Sequence, residues 1–203
     1  SWQVYVPKDY SRDAEDGFGL LVFLNNGPSG AIPDPAYRGV LDQQRMIYIS
    51  PNKAGPWAPD YYRHALAVDA VRLIRQRYRI ASEDIYVAGV GCGGVSASHA
   101  MVNHSDIFQG GLPCGKTAGV LSIPHVRGGG LKLAQIFNRY VFHVGGKDPG
   151  RAAFEEIERK YVAAGYDNVK LQITDGVKTS LPDAEALEDA ISFLKTKIRN
   201  EAK

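Results

Sequence analysis

Ile85-Tyr86-Val87-Ala88-Gly89-Val90-Gly91-Cys92-Gly93-Gly94-Val95-Ser96-Ala97-Ser98-His99-Ala100-Met101 changes character at its middle. The first five residues are a short, continuous apolar run, the pattern of a strand buried on both faces. Three glycines follow within the next five positions, and then come small residues that suit a helix packed closely on a sheet. The stretch therefore predicts a strand, a sharp turn and a helix, with the chain reversing over glycines that allow close backbone approach.

The same alternation extends in both directions. Upstream, Leu20–Leu24 ends at Asn25-Asn26-Gly27-Pro28, and Met46–Ile49 stops at Ser50-Pro51. Between Asp60 and Tyr78, apolar Ala67, Val71, Ile74 and Tyr78 recur at helical spacing. Downstream, Phe108–Pro113 is a weaker strand candidate and Tyr140–Val144 a stronger one. A helix from about 152 to 163, a strand over Val169–Ile173 and a last helix follow. That last helix carries Ala184, Leu187, Ile191, Leu194 and Ile198 on one face, with Asp183 or Ser180 as its cap. Strands alternating with crossover helices predict a mostly parallel sheet covered on both faces. The Gly/Pro-rich stretches 25–35, 50–59 and 115–130 read as loops within one domain spanning 1–203. In such a sheet, ligands bind at the carboxyl ends of the strands. The loops beginning at Asn25, Ser50, Gly89, Cys114, Gly145 and Thr174 should gather there.

Bulk properties narrow the classes. The 203 residues suffice for one substantial core. A formal net charge of +2, with no long run of like charge, gives no electrostatic reason to expect nucleic acid or an anionic membrane surface. No apolar stretch approaches the roughly 18 residues that span a bilayer. The chain enters a strand-like segment at Trp2 without a targeting segment in front, which leaves precursor signals, neighbouring domains and compartment open.

From Ala67 to Gly115 the sequence resembles the polyhydroxybutyrate depolymerase and feruloyl esterase group of α/β-hydrolases. Members carry "R-I-Y-V-x-G-x-S-x-G-G", followed about twenty residues on by "C-G". Here the matching text is Tyr78-Arg79-Ile80 through Asp84-Ile85-Tyr86-Val87-Ala88-Gly89, the turn itself, and later Pro113-Cys114-Gly115. The resemblance implies an α/β-hydrolase-type three-layer sandwich, with a mostly parallel central sheet and helices on both faces. It also implies a nucleophile on the turn, oriented by a histidine and an acid.

Carried over residue by residue, that machinery is incomplete. Glycine, Gly91, stands where the family has serine, Thr179 stands at the histidine position, and Asn25-Asn26 replaces the "H-G" that shapes the oxyanion pocket. Only the acid aligns, at Asp148. Glycine has no atom with which to attack, and threonine is no base near neutral pH. The leading expectation is a non-catalytic binding or accessory module, without cofactor, for a small molecule or a carboxylate or other anion. A hydrolase with relocated machinery, using Cys92 in a register shifted by one or groups from outside this stretch, is the rival. A structural or oligomerisation domain is the third reading.

Each candidate residue carries a plain alternative. The N–H groups of Cys92 and Gly93, at a helix N-terminus opened by Gly91, form an expected anion site with Asn25 and Asn26 beside it. Cys92 and Cys114 are expected either to pair as a disulfide, which with the family resemblance favours an extracytoplasmic setting, or to remain thiols. Asp148 either keeps a ligand contact or caps the next helix. Trp57, with Tyr61 and Tyr62, lines a pocket mouth or anchors its loop. His143, inside an apolar strand, reads as a core histidine. No metal site is expected, because no histidine pair shows ligand spacing.

Overall fold

A computed structural model describes residues 1–118, 129–178 and 181–196. Seven strands form one sheet: β1 (Trp2–Tyr5), β2 (Phe18–Leu24), β3 (Met46–Pro51), β4 (Ile80–Val90), β5 (Gly110–Cys114), β6 (Arg139–Gly145) and β7 (Val169–Thr174). Their spatial order is β1-β3-β2-β4-β5-β6-β7. β2 to β7 run parallel, and only β1, paired on β3, is antiparallel. The carboxyl ends of the six parallel strands therefore share one edge, with the loops after Leu24, Pro51, Val90, Cys114, Gly145 and Thr174.

Two cores sandwich the sheet, because alternate strand residues point to opposite faces. On one face α2 (Asp60–Arg75), α3 (Cys92–Asn103) and α5 (Arg151–Ala163) cover Leu20, Val22, Ile85, Val87 and Phe142. On the other, α1 (Pro35–Gln43) and α6 (Ala184–Lys195) cover Leu21, Tyr48, Tyr86, Leu112 and Val141. Burial of one side chain such as Phe142 contributes roughly 1.5–3 kcal/mol. These layers are the expected three-layer sandwich.

The helix boundaries follow local chemistry. Asp183 caps α6 by accepting the Ala186 N–H, while the alternative cap Ser180 and the distal Ile198 lie outside the described residues. α2 stops at Arg75, one turn short of the expected Tyr78. Two helices depart from the sequence expectation. α1 begins at Pro35, within the stretch read as a loop, because Asp34 accepts the Tyr37 N–H and Pro35 takes the first helical position. α4 (Gly129–Phe137) begins inside the predicted 115–130 loop. β4 is also longer than Ile85–Gly89, starting at Ile80, where it pairs with Phe18 across a register shift.

The topology positions the site. The chain leaves β2 toward β3 on one side and leaves β4 toward β5 on the other. The switch point lies between β2 and β4, which places Asn25-Asn26 opposite Gly91-Cys92, the location where open α/β sheets bind ligands.

Candidate functional site

Gly91 is the apex of the turn between β4 and α3, with φ 58° and ψ −121°. That conformation is strained for any residue with a side chain. The surrounding glycines are required by backbone contact. A Cβ on Gly93 would lie 1.9 Å from the Leu24 carbonyl oxygen, and one on Gly89 would lie 2.3 Å from the Gly93 carbonyl oxygen. A Cβ on Gly94 would lie 2.3 Å from the Lys116 carbonyl oxygen. The turn thus has the strand-to-helix geometry on which α/β-hydrolases mount a nucleophile, centred on Gly91. Cys92 is the first residue of α3, one position past the apex.

The space beside Gly91 is filled by the chain itself. A Cβ there would meet the Asn26 carboxamide, with Oδ1 at 2.6 Å and Cγ at 2.8 Å. Asn26 Oδ1 accepts the Cys92 N–H at 3.0 Å, the donor that follows the apex. Asn25 Oδ1 in turn accepts the Asn26 N–H at 2.9 Å, while Asn25 Nδ2 donates to the Ser29 carbonyl. The expectation that glycine leaves this helix N-terminus open is corrected on this point: an internal carboxamide already satisfies the Cys92 donor. Gly93 lies beneath it, tight against Leu24.

The other named residues are dispersed. Both cysteines are free, so the alternative of a Cys92–Cys114 disulfide is not realised. Cys114 is packed in the core under α1 and α6 with its Sγ near the Leu112 carbonyl, whereas Cys92 Sγ lies 3.8 Å from the Asn26 carbonyl. Burial pushes the Cys114 thiol well above its ordinary pKa, which leaves it an inert thiol. Asp148 Oδ1 accepts the Gly150 N–H at 2.7 Å, a bond that shapes the turn into α5. His143 is fully buried on β6, with Nδ1 3.0 Å from Gln172 Oε1, and burial lowers its pKa. Trp57 is 82% exposed, so burial does not anchor its loop. Thr179, at the family's histidine position, and His125 lie outside the described residues.

A cavity of about 180 Å³ lies on the α1/α6 face of the sheet. Its walls include Leu21, Phe23, Ile32, Tyr37, Leu112 and Leu187, and Asn25 reaches its rim. Asn26, Cys92, Gly93 and Trp57 are not among its lining residues. Tyr37 donates to the Pro182 carbonyl across it, which ties the loop before α6 to α1. An apolar cavity of roughly 150 Å³ can stay dry and take up a benzene-sized molecule.

Behind the turn, on the opposite face, a polar cluster joins α2 to α3. Arg63 Nη1 donates to the Cys92 carbonyl at 2.9 Å, and Ser96 Oγ donates to Asp60 Oδ1. Asp60 Oδ2 meets His99 Nδ1 and lies 3.1 Å from His64 Nε2. Burial would raise the Asp60 carboxyl, but hydrogen bonds from Ser96 and His99 outweigh it and hold it below its ordinary value. Burial lowers the His64 pKa, with only partial relief from Asp60. The fold thereby gathers a group that histidine spacing did not suggest: one nitrogen from each of His64 and His99 and one oxygen from Asp60 lie within 4.8 Å of one another. The spacing of Asp60 and His64, four apart on one helix, was visible in the sequence, whereas His99 arrives from another helix.

Neither a protein-family model nor a curated protein sequence matches this chain. Solved structures do. A feruloyl esterase module from Clostridium thermocellum, complexed with sinapinate, superposes with a TM-score of 0.73 at 12% identity, over 97% of this chain and 83% of its own. An S-formylglutathione hydrolase from Staphylococcus aureus gives 0.66 at 11% identity, over 95% and 91%. A thermostable esterase gives 0.63 at 16% identity over 94% of this chain, which spans only 56% of that protein. Together with the strand order and the turn at Gly91, these likenesses establish the architecture: the chain has the α/β-hydrolase fold, shared with the feruloyl esterase module and the other esterases on which it superposes.

Proposed function

We propose that this chain is a non-catalytic binding module that retains an esterase scaffold and no longer performs acyl transfer by a Ser-His-Asp mechanism. One observation carries this reading. The Asn26 carboxamide occupies the place of a nucleophile's side chain and takes the Cys92 N–H, which an oxyanion would need in the transition state. An apex without an attacking atom and a donor already engaged remove two separate contributions to catalysis. The orientation of Asp148 toward Gly150 fits a structural role for the residue at the acid position.

The ligand is a small molecule with an apolar ring or short acyl group. The cavity supports this choice over a free anion: among the described residues its walls are mostly aliphatic and aromatic, with Asp34 the charged residue and no lysine or arginine. Such a site binds by burial of apolar surface, with a few polar groups setting orientation. An anion at the Cys92 and Gly93 amides would first have to displace Asn26.

The deciding experiment assays p-nitrophenyl acetate and a feruloyl ester with the wild type, Cys92→Ala, and the Gly91→Ser/Thr179→His double variant. Phenol and benzoate are titrated in parallel by amide NMR. The expected result is background turnover by the wild type, with phenol perturbing the amides of Tyr37 and Leu112 more than benzoate does. Wild-type turnover abolished by Cys92→Ala would overturn the reading in favour of a relocated nucleophile. Absence of any ligand response, with no turnover, would favour a purely structural domain.

A further inference from the structure

We propose that Asp60, His64 and His99 form a binding site for a first-row divalent transition-metal ion of the zinc class, clamped between α2 and α3.

The donor set is assembled by the fold. Asp60 and His64 sit four apart at the start of α2 and so share a face, while His99 comes from the second turn of α3. Ligand atoms around a tetrahedral zinc at 2.0–2.1 Å stand about 3.4 Å apart. His64 Nε2 and Asp60 Oδ2 are already 3.1 Å apart, and all three donors lie within 4.8 Å of one another. His99 Nδ1 and Asp60 Oδ2 are in closer contact than this spacing, so closing on an ion separates that pair while drawing the third donor in.

A second observation points to a ligand. His64 Nε2 is buried and has no aligned hydrogen bond, despite its closeness to Asp60. A buried polar nitrogen left unsatisfied is destabilising. An ordinary His–Asp–His hydrogen-bond network leaves that cost in place, whereas a metal ion removes it. The support around the donors is also of the required kind. Ser96 Oγ holds Asp60 Oδ1, leaving Oδ2 for the ion, and Ser96 also bonds the Cys92 carbonyl. Such outer bonds orient metal ligands. Two imidazoles with one carboxylate select zinc, cobalt or nickel over calcium or magnesium, which favour all-oxygen shells. Three protein ligands leave coordination positions for water, and the Asp60 and His99 side chains are 35% and 27% exposed, so solvent reaches the ion.

The test titrates the chelator-treated full chain with zinc by calorimetry, beside calcium and magnesium. The expected result is one zinc ion per chain and no response to the other two. His64→Ala and His99→Ala should each weaken binding on the order of 100-fold or more, and Ser96→Ala by about 10-fold. Cys92→Ala should leave binding unchanged. Cobalt substitution supplies a readout that requires no variant to fold: its visible spectrum should show nitrogen and oxygen ligation without a thiolate charge-transfer band. Absence of zinc binding by the wild type overturns the proposal. So does binding that survives in a folded His64→Ala/His99→Ala double variant, or a thiolate band in the cobalt spectrum.

Discussion

The turn at Gly91 and the cavity under α1 meet at the Asn25 loop, yet they differ in how the chain treats empty space. Beside Gly91 the space is closed by Asn26, whose carboxamide satisfies a backbone donor. On the α1/α6 face the space stays open, because its walls are apolar and offer few groups to satisfy. A helix N-terminus leaves backbone N–H groups without intrahelical partners, and here the exposed Asn26 carboxamide takes one of them. An apolar cavity costs only lost dispersion and persists. The contrast teaches that removing a nucleophile from this turn does not by itself create a binding site.

The largest expected effect tests whether the closed region is rigid backbone or adaptable side chain. Gly93→Ala should cost at least about 3 kcal/mol and abolish cooperative folding, because its Cβ meets the Leu24 carbonyl, which cannot move independently of β2. Chemical denaturation checks this. A near-neutral Gly93→Ala would break the comparison.

Gly91→Ser should be milder, about 1–3 kcal/mol, since it meets a positive φ and a side chain rather than backbone. Asn26→Ala alone should cost about 1 kcal/mol through the lost bond to Cys92. The double variant should cost less than the sum, because removing the carboxamide makes room for the serine. Additive effects in a double-mutant cycle would show that Asn26 does not occupy the nucleophile's place.

In the open region, Ala31→Leu should fill part of the cavity and weaken phenol binding about tenfold, or about 1.4 kcal/mol, with little change in stability. Unchanged affinity in the NMR titration would place the ligand elsewhere.

The smallest effect concerns pH and distinguishes the two faces. His64 lies behind the turn and His143 beside Cys114 on the cavity face, and burial depresses both pKa values. Below about 6.5 the unfolded chain therefore takes up protons that the folded histidines refuse, and stability falls as pH drops toward their folded values. Asp60, held below its ordinary pKa, adds to the loss at still lower pH, as its carboxylate is protonated. Urea unfolding of chelator-treated protein between pH 7.5 and 5 should show this slope. It should flatten in His64→Gln or in His143→Leu, according to which face carries the larger share, and a flat profile in the wild type would refute it.

Most of the layer architecture was readable from residue patterns, and much of the site was not. Leu20–Leu24 and Tyr140–Val144 announced themselves as strands because burial on both faces leaves an unbroken apolar run. α1 escaped notice because its apolar residues are few and it follows a proline-rich loop, although Asp34-Pro35 is a helix-start signal. At the site, the glycines around Gly91 were legible as a sharp turn, while the filling of that turn was not. Asn26 and Cys92 are 66 positions apart, and only their strands' adjacency brings them together.

What the sequence determined by itself was therefore local: the alternation of strand and helix, the glycine turn, and the missing side chain at position 91. These depend on periodicity and backbone freedom, which a few neighbouring residues set. Tertiary structure alone decided that Asn26 closes the turn, that Cys92 and Cys114 remain free thiols, and that His99 joins Asp60 and His64. Those outcomes depend on which strands pair and which helices cover one face, and the chain acquires them only when distant segments pack.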